Sequence, residues 1–237
     1  FAIDFAEYVP PKPTFLGLKT INDVSLEGLV PYIDWTPFFA TWEMKGSYPR
    51  ILTDDKMGEA ATQLFNDAQK LLDQMVSEKW LSPKGVVGFW PANRIAEDDI
   101  ELYTDDTREN RLAMFHTLRQ QMARKNDRAH VALADFVAEQ GIHDYVGGFA
   151  VTAGHGEDEH VARFDAANDD YSKILMQALA DRFAEAFAEY LHARVRREFW
   201  GYADEGSLST EDLIAEKYHG IRPAPGYPAQ PDHTEKR

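Results

Sequence analysis

The sequence contains no cysteine, and this absence excludes several kinds of chemistry together. A chain without thiols has no disulfide framework, no zinc-thiolate site, no iron-sulfur ligation and no thiol nucleophile. It also has no apolar run long enough to span a bilayer and nothing that resembles a signal peptide. We therefore expect no membrane partner.

Positive charge is also scarce. The 25 Lys and Arg residues are outnumbered by 40 Asp and Glu residues, which gives a formal net charge of −15. Nucleic acids and anionic membranes are bound through clustered Lys and Arg, so neither is expected as a main partner. The dense basic cluster of this acidic sequence is formed by Arg194, Arg196 and Arg197.

Apolar residues, in contrast, are plentiful. Of the 237 residues, 44% are hydrophobic, which suffices for the core of one large domain or two small ones. Apolar positions recur at helical spacing over residues 54–78 and predict an amphipathic helix. Residues 85–90 predict a buried strand that ends at Pro91, with a hairpin partner at 100–103.

The remaining elements are predicted from periodicity and capping residues. We expect an irregular arm at 1–20, a short element at 20–24, a helix at 25–32 capped by Ser25, a helix from Asp106 or Thr107 through Met122, strands at 129–137 and 144–152, a helix at 158–199, and a short helix capped by Ser209 or Thr210.

Residues 221–228 form a stiff, extended strip near the end of the chain. Three prolines within six residues fix the backbone, while Gly226 allows close approach to it. The strip presents Arg222 and Tyr227, which suit a small ligand that carries an anion. The alternative is a proline-rich surface connection without a ligand.

Two carboxylates stand among apolar neighbours. Asp34 opens an aromatic segment and either caps the next turn or faces a ligand with a cation or hydroxyl groups. Glu185, between two alanines on the long predicted helix, either turns to solvent or meets a donor.

A glycine-rich acidic loop brings His155, Glu157 and His160 close in sequence. Histidines five residues apart do not share a helix face, and the glycines favour mobility over a preorganised site. A solvated loop is therefore predicted here rather than a metal site.

Five blocks, in order along nearly the whole chain, carry a family resemblance. They are DWTPFF at 34–39, GVVGFWPANR at 85–94, LRQQ at 118–121, ADRFAEAFAEYLH at 180–192 and GIRPAPGY at 220–227. Together they resemble the activation domain of cobalamin-dependent methionine synthase. The resemblance implies an α/β (α+β) fold, a single C-shaped domain whose mixed central sheet is flanked by long helices. It also implies that residues 1–237 are the C-terminally incomplete end module of a larger cytoplasmic enzyme.

The resemblance implies a function as well. The family domain binds S-adenosylmethionine and acts when the enzyme's cobalamin, held on a neighbouring domain, has been oxidised. An electron from flavodoxin or a similar reductase and a methyl group from S-adenosylmethionine then rebuild methylcobalamin. The whole enzyme transfers methyl from methyltetrahydrofolate to homocysteine and uses zinc, which is not expected in this chain. The chain alone is expected to position its ligand without catalysing that transfer.

Family positions map onto particular residues here. Arg222 would clamp the ligand carboxylate, since a guanidinium can give it two parallel hydrogen bonds. The remaining implied ligand contacts are Asp34 and Glu185 to polar atoms, the backbone of Ala224 and Gly226 to adenosine, the ring of Tyr227, and Glu216.

Two other interpretations compete with the family one. The chain could be an α/β interaction module without a small ligand, or a stand-alone methyltransferase, although the glycine-rich loop usual after the first strand of such enzymes is absent. Within the family interpretation, we expect Arg194, Arg196 and Arg197 to help receive the acidic flavodoxin.

Overall fold

The sheet is built around one long central strand, β2. A computed structural model describes residues 3–6, 8–123, 129–203 and 208–236. The strands within these ranges are β1 (Gly17–Ile21), β2 (Lys84–Arg94), β3 (Asp99–Tyr103), β4 (Arg111–His116) and β5 (Asp144–Thr152). β2 pairs with β5 along one edge and with β1 and then β3 along the other, while β4 pairs with β3. These pairings are all antiparallel.

Two glycines in β2 allow neighbouring groups to lie close to the strand. A Cβ atom on Gly88 would stand 2.5 Å from the ring of Trp90, and one on Gly85 would stand 3.0 Å from the ring of Phe187. Phe187 belongs to the long helix that covers the sheet. The close contact between the sheet and this helix therefore depends on a glycine, which has no side chain, at position 85.

Six α-helices are described. They are α1 (Leu26–Leu29), α2 (Thr36–Thr41), α3 (Gly58–Ser77), α4 (Glu157–Ala166), α5 (Asp170–Arg194) and α6 (Thr210–Ile214). Short 3-10 turns lie at Val30–Tyr32, Arg50–Thr53, Leu133–Phe136 and Thr234–Lys236, and one π-helical turn at Val195–Phe199 extends α5.

Helix α5 is the centre of the main hydrophobic core. Its residues Leu179, Phe183 and Phe187 are fully buried, and the cluster they belong to includes residues of β2, α2 and α3. A second, small cluster lies at the other end of β2, around Ala92 and Ile100. Helix α5 therefore provides the rigid support on which the candidate site is built.

Most of the predicted elements are confirmed. The α/β (α+β) class is confirmed, with a central sheet flanked by helices. Within the described residues, the one parallel pairing is an isolated bridge between Arg94 and Glu139. Helix α3, the β2–β3 hairpin and β5 lie where the pattern predicts them. Ser25 caps α1 by accepting from Gly28 N–H at 3.2 Å, and Ser209 caps α6 in a capping box.

The predicted helix from Asp106 or Thr107 through Met122 is wrong. Residues 111–116 form strand β4 instead, with Phe115 opposite Ile100 of β3. Leu112 and Phe115 are spaced as on a helix, but cross-strand pairing with β3 decides the conformation. The motif residue Arg119 consequently lies in an irregular segment after β4.

Other boundaries also need correction. The predicted strand at 129–137 is a 3-10 turn at Leu133–Phe136, because Asp135 accepts from Ala132 N–H at 2.9 Å and folds the backbone. The arm predicted over 1–20 already includes most of β1. The predicted end of the strand at Pro91 is also wrong, because β2 continues through this residue. Pro91 lies between the part of β2 that pairs with β1 and the part that pairs with β3, so it does not have to donate a hydrogen bond on that edge.

The helix predicted over 158–199 is two helices and a π-helical turn. Asn168 adopts a left-handed conformation with φ of 54°, which ends α4. Asp169 then caps α5 by accepting from Ser172 N–H at 3.0 Å. The Asn-Asp pair was a sequence signal for this break.

Candidate functional site

Arg222 stands on the proline-rich strip and contacts α5. Its Nη2 forms an ion pair with Oε1 of Glu189, and both side chains are largely buried, 25% and 19% exposed. Arg222 Nη1 and Glu189 Oε2 are also buried, and neither has a hydrogen-bond partner within the described residues. A buried cationic donor without a partner is costly, which makes this a place where a ligand anion would bind favourably.

The strip beyond Arg222 folds into a tight turn. Gly226 has φ of 99° and donates its N–H to Gln230 O at 2.8 Å, while Tyr227 N–H donates to Ala224 O at 3.1 Å. A Cβ atom on Gly226 would lie 2.7 Å from the ring of His233. The left-handed backbone and this contact both require glycine. Ala224, Gly226 and Tyr227 are exposed, so their backbone and ring are accessible.

The segment that carries Asp34 contacts the same part of α5. Asp34 is half-buried, and its Oδ1 accepts from Thr36 N–H at 2.9 Å in the turn that leads into α2, whose N-cap position is Trp35. Two residues before Asp34, the ring of Tyr32 meets Tyr190 edge-on at 5.5 Å, and Tyr190 adjoins Glu189. The segment that carries Asp34 and the strip that carries Arg222 therefore contact adjacent residues of α5. The second oxygen of Asp34 keeps acceptor capacity for a ligand.

The chain between α5 and the strip is tethered near Asp34. Thr210, at the start of α6, donates its hydroxyl to the carbonyl of Pro31 at 2.6 Å. This hydrogen bond brings the start of α6 beside the segment that carries Asp34.

The two remaining candidate carboxylates are exposed. Glu185 lies one turn before Glu189 on α5, so their side chains share a helix face. Of its two predicted alternatives, the turn towards solvent is the one observed. Glu216 follows α6, with φ of 52°. The structure gives neither residue a contact with Arg222.

A buried polar cluster lies beneath Arg222. His192 is 3% exposed, and burial, reinforced by Arg196 and Arg222, lowers its pKa to about 3. Arg196 donates through Nη1 to Nδ1 of His192 at 2.7 Å and lies 4.6 Å from the ring of Tyr218. Burial raises the pKa of Tyr218, although Arg222 acts in the opposite direction. The floor of the site is thus a neutral imidazole and a neutral phenol beside two cations.

The sequence profile of the family described as vitamin B12 dependent methionine synthase, activation domain, matches residues 25–237. The chain belongs to this family. Among solved structures, a crystal structure of the MetH reactivation domain bound to AdoHcy is similar over 100% of this chain and 72% of that chain. The TM-score is 0.91 and the sequence identity is 55%. The family resemblance found in the sequence is confirmed.

The basic surface predicted for this activation domain is not present as expected. Arg196 is 2% exposed and cannot receive a partner protein. Arg194 pairs with Glu198 at 2.9 Å and lies over the ring of Phe199 at 4.7 Å, while Arg197 is exposed. The prediction is therefore wrong for Arg196, which the π-helical turn directs into the core. For Arg194 and Arg197 it stays a prediction.

The solvated loop predicted around His155, Glu157 and His160 is wrong for the last two residues, which lie on helix α4 of the domain. His160 stacks on Trp80 with ring centroids 4.1 Å apart, and Arg163 lies 4.3 Å from the same ring. No group of three or more potential ligands close enough for a metal ion occurs within the described residues. Among the helices that the structure describes, none is both long and apolar enough to cross a membrane.

Sequence reasoning missed Glu189. Its signal was available, because it lies four residues after Glu185 on a predicted helix and could reach the same face.

Clefts also occur away from the candidate site, along Arg94 and Glu97 at the far end of β2. Among the residues that line these clefts, Arg94 pairs with Glu139 and Arg119 pairs with Asp135.

Proposed function

We propose that this domain binds S-adenosylmethionine at residues 222–227 and supports the reductive methylation of cobalamin held on a neighbouring domain. The observation that carries the proposal is Arg222, whose guanidinium is fixed by Glu189 while Nη1 stays buried and without a partner in the described residues. The similar MetH reactivation domain, 55% identical, was crystallised with AdoHcy, which shares the amino-acid and adenosine parts of the ligand.

The chemistry of the ligand matches the groups available. S-adenosylmethionine carries a carboxylate, an ammonium, a ribose diol and an adenine, so its site needs a fixed cation, carboxylates and a flat apolar surface. We assign the cation to Arg222, the carboxylates to Asp34 and Glu185, and adenosine contacts to the exposed turn that includes Gly226 and Tyr227. Glu216 is the outermost candidate, because it lies exposed on the turn after α6.

The contribution of this chain to the reaction is positioning. No residue of the site need act as general acid, base or nucleophile, because cobalamin on the neighbouring domain would supply that chemistry. A fixed guanidinium and a stiff strip would hold the ligand in one orientation for that attack. The proposed partners are the cobalamin-binding domain of the same enzyme and flavodoxin or a similar reductase, in the cytoplasm. The whole enzyme would be a methyltransferase that forms methionine from homocysteine.

Calorimetric titration with S-adenosylmethionine tests the proposal. The parent chain should bind, and Arg222→Ala should lower affinity at least about tenfold, as expected for the loss of a charge-assisted hydrogen bond. Asp34→Ala should also weaken binding. Arg94→Ala is the matched control, since Arg94 is 20% exposed and pairs with Glu139 away from the site.

Thermal unfolding would first establish that each variant keeps its fold. No binding by the parent chain, or equal losses in Arg222→Ala and Arg94→Ala, would contradict the proposal and favour an interaction module without a ligand.

A further inference from the structure

Glu189 joins a rigid element to an irregular one. Its neighbours on α5, including Phe187 and Leu191, are fully buried, so the backbone of Glu189 is fixed by the core. Arg222 belongs to a stretch that is neither helix nor strand. The ion pair between them therefore fixes the guanidinium of Arg222 more than it fixes Glu189.

The surrounding charges make this carboxylate important. Burial, together with Arg196 and Arg222, lowers the pKa of His192, so its imidazole stays neutral and supplies no negative charge to Arg222. Like charges in a partly buried site repel each other strongly. Glu189 places a negative charge directly on Arg222 and counters that repulsion.

The pairing also selects which nitrogen remains for another partner. Glu189 contacts Nη2, and Nη1 is left buried without a hydrogen-bond partner in the described part of the chain. A guanidinium held in this way keeps its other edge for a second carboxylate.

We infer that Glu189 is a positioning residue, which holds Arg222 by Nη2 so that Nη1 meets the carboxylate of an α-amino-acid ligand. The inference rests on the proposed function, because Arg222 is the proposed clamp for S-adenosylmethionine. Glu189 is not one of the proposed ligand contacts. We predict that replacing it weakens the binding only of ligands that carry the carboxylate.

Two ligands separate this role from a structural one. AdoHcy carries the carboxylate and ammonium of an amino acid, whereas methylthioadenosine has the adenosine and thioether and lacks both charged groups. Glu189→Ala should weaken AdoHcy binding by about tenfold to a hundredfold, and methylthioadenosine binding by less than about twofold. Glu189→Gln keeps the shape and one acceptor but loses the charge, so AdoHcy binding should fall by about threefold or more.

A double-variant cycle measures the coupling. If Glu189 acts through Arg222, the Glu189→Ala, Arg222→Ala double variant should bind AdoHcy no more weakly than Arg222→Ala alone. Asp165→Ala serves as the control. It removes an ion pair in which Asp165 Oδ1 lies 2.6 Å from Nζ of Lys173, near the other end of α5. It should leave both ligands unaffected.

The possible outcomes are distinguishable. If the parent chain binds neither ligand, the proposed function is overturned and the inference with it. If the parent chain binds AdoHcy but both Glu189 variants bind normally, or lose both ligands equally, the inference alone is overturned. Should Glu189→Ala unfold, the isosteric Glu189→Gln, titrated with the same two ligands, tests the inference in its place.

Discussion

At the scale of single residues, two partly buried arginines differ in how fully their donors are used. Arg119 directs Nη1 to His130 O at 2.8 Å and to Asp135 Oδ2 at 2.7 Å, and Nη2 also reaches Asp135. Arg222 uses Nη2 for Glu189 and keeps Nη1 unpartnered in the described part of the chain. Arg119 is therefore a structural residue, and Arg222 has capacity left for a ligand.

His192 links this site to the stability of the fold. The structure holds it neutral, with the pKa lowered to about 3, whereas an unfolded histidine has a pKa of about 6.5. Below that pH the unfolded chain binds a proton that the folded chain does not. The stabilising contribution is thus complete above about pH 6.5 and declines as the pH falls towards 3.

We predict that the free energy of unfolding falls by about 2 kcal/mol through this group between pH 7 and pH 5. His192→Asn should remove most of that slope, because its amide oxygen can replace Nδ1 as the acceptor for Arg196 without titrating. Urea unfolding at several pH values measures both slopes. The parent chain is the reference, and an unchanged slope in the variant would refute the assignment.

At the scale of elements, α4 is attached to the chain through its first turn. Gly156 precedes α4 with φ of 103°, and a Cβ atom there would lie 2.3 Å from the carbonyl oxygen of Trp80. Ser82 N–H donates to His155 O at 2.9 Å beside it. This backbone contact complements the stacking of His160 on Trp80.

Gly156→Ala should therefore lower the free energy of unfolding by about 2 kcal/mol or more, the sum of a left-handed backbone cost and a clash with backbone. Gly148→Ala is the matched control, because a Cβ atom there would meet nothing within 4 Å. It should change stability by less than about 1 kcal/mol. Chemical denaturation of both variants would test this, and equal effects would contradict the packing described for α4.

Elements were predictable from sequence where local signals agreed with tertiary contacts. The periodicity of α3 and the caps at Ser25 and Ser209 are local, and they survive in the structure. β4 was not predictable in this way, because its helix-like spacing is overruled by pairing with β3. The break at Asn168 needed attention to a left-handed position inside an otherwise periodic stretch.

At the scale of the whole molecule, the candidate site depends on three distant parts of the chain. Thr210 binds Pro31, Tyr32 packs on Tyr190, and Arg222 pairs with Glu189. The proline-rich strip itself was recognisable in sequence. Helical spacing places its partner Glu189 on the same face of α5 as Glu185, but the sequence does not say which acidic residue of that helix contacts the strip.

The exposure of charged residues was likewise set by the whole fold. Arg196 looked like part of a basic surface in sequence, yet the π-helical turn buries it against Tyr218. The charge and spacing of that cluster are visible in the sequence, while its burial depends on elements far away along the chain.

The most direct measurement is a crystal structure of this chain with AdoHcy. We predict that the ligand carboxylate lies within hydrogen-bond distance, about 3 Å, of Arg222 Nη1, with Glu189 still on Nη2 and adenosine along residues 224–227. A ligand bound elsewhere, or a carboxylate that displaces Glu189 from Arg222, would contradict this prediction.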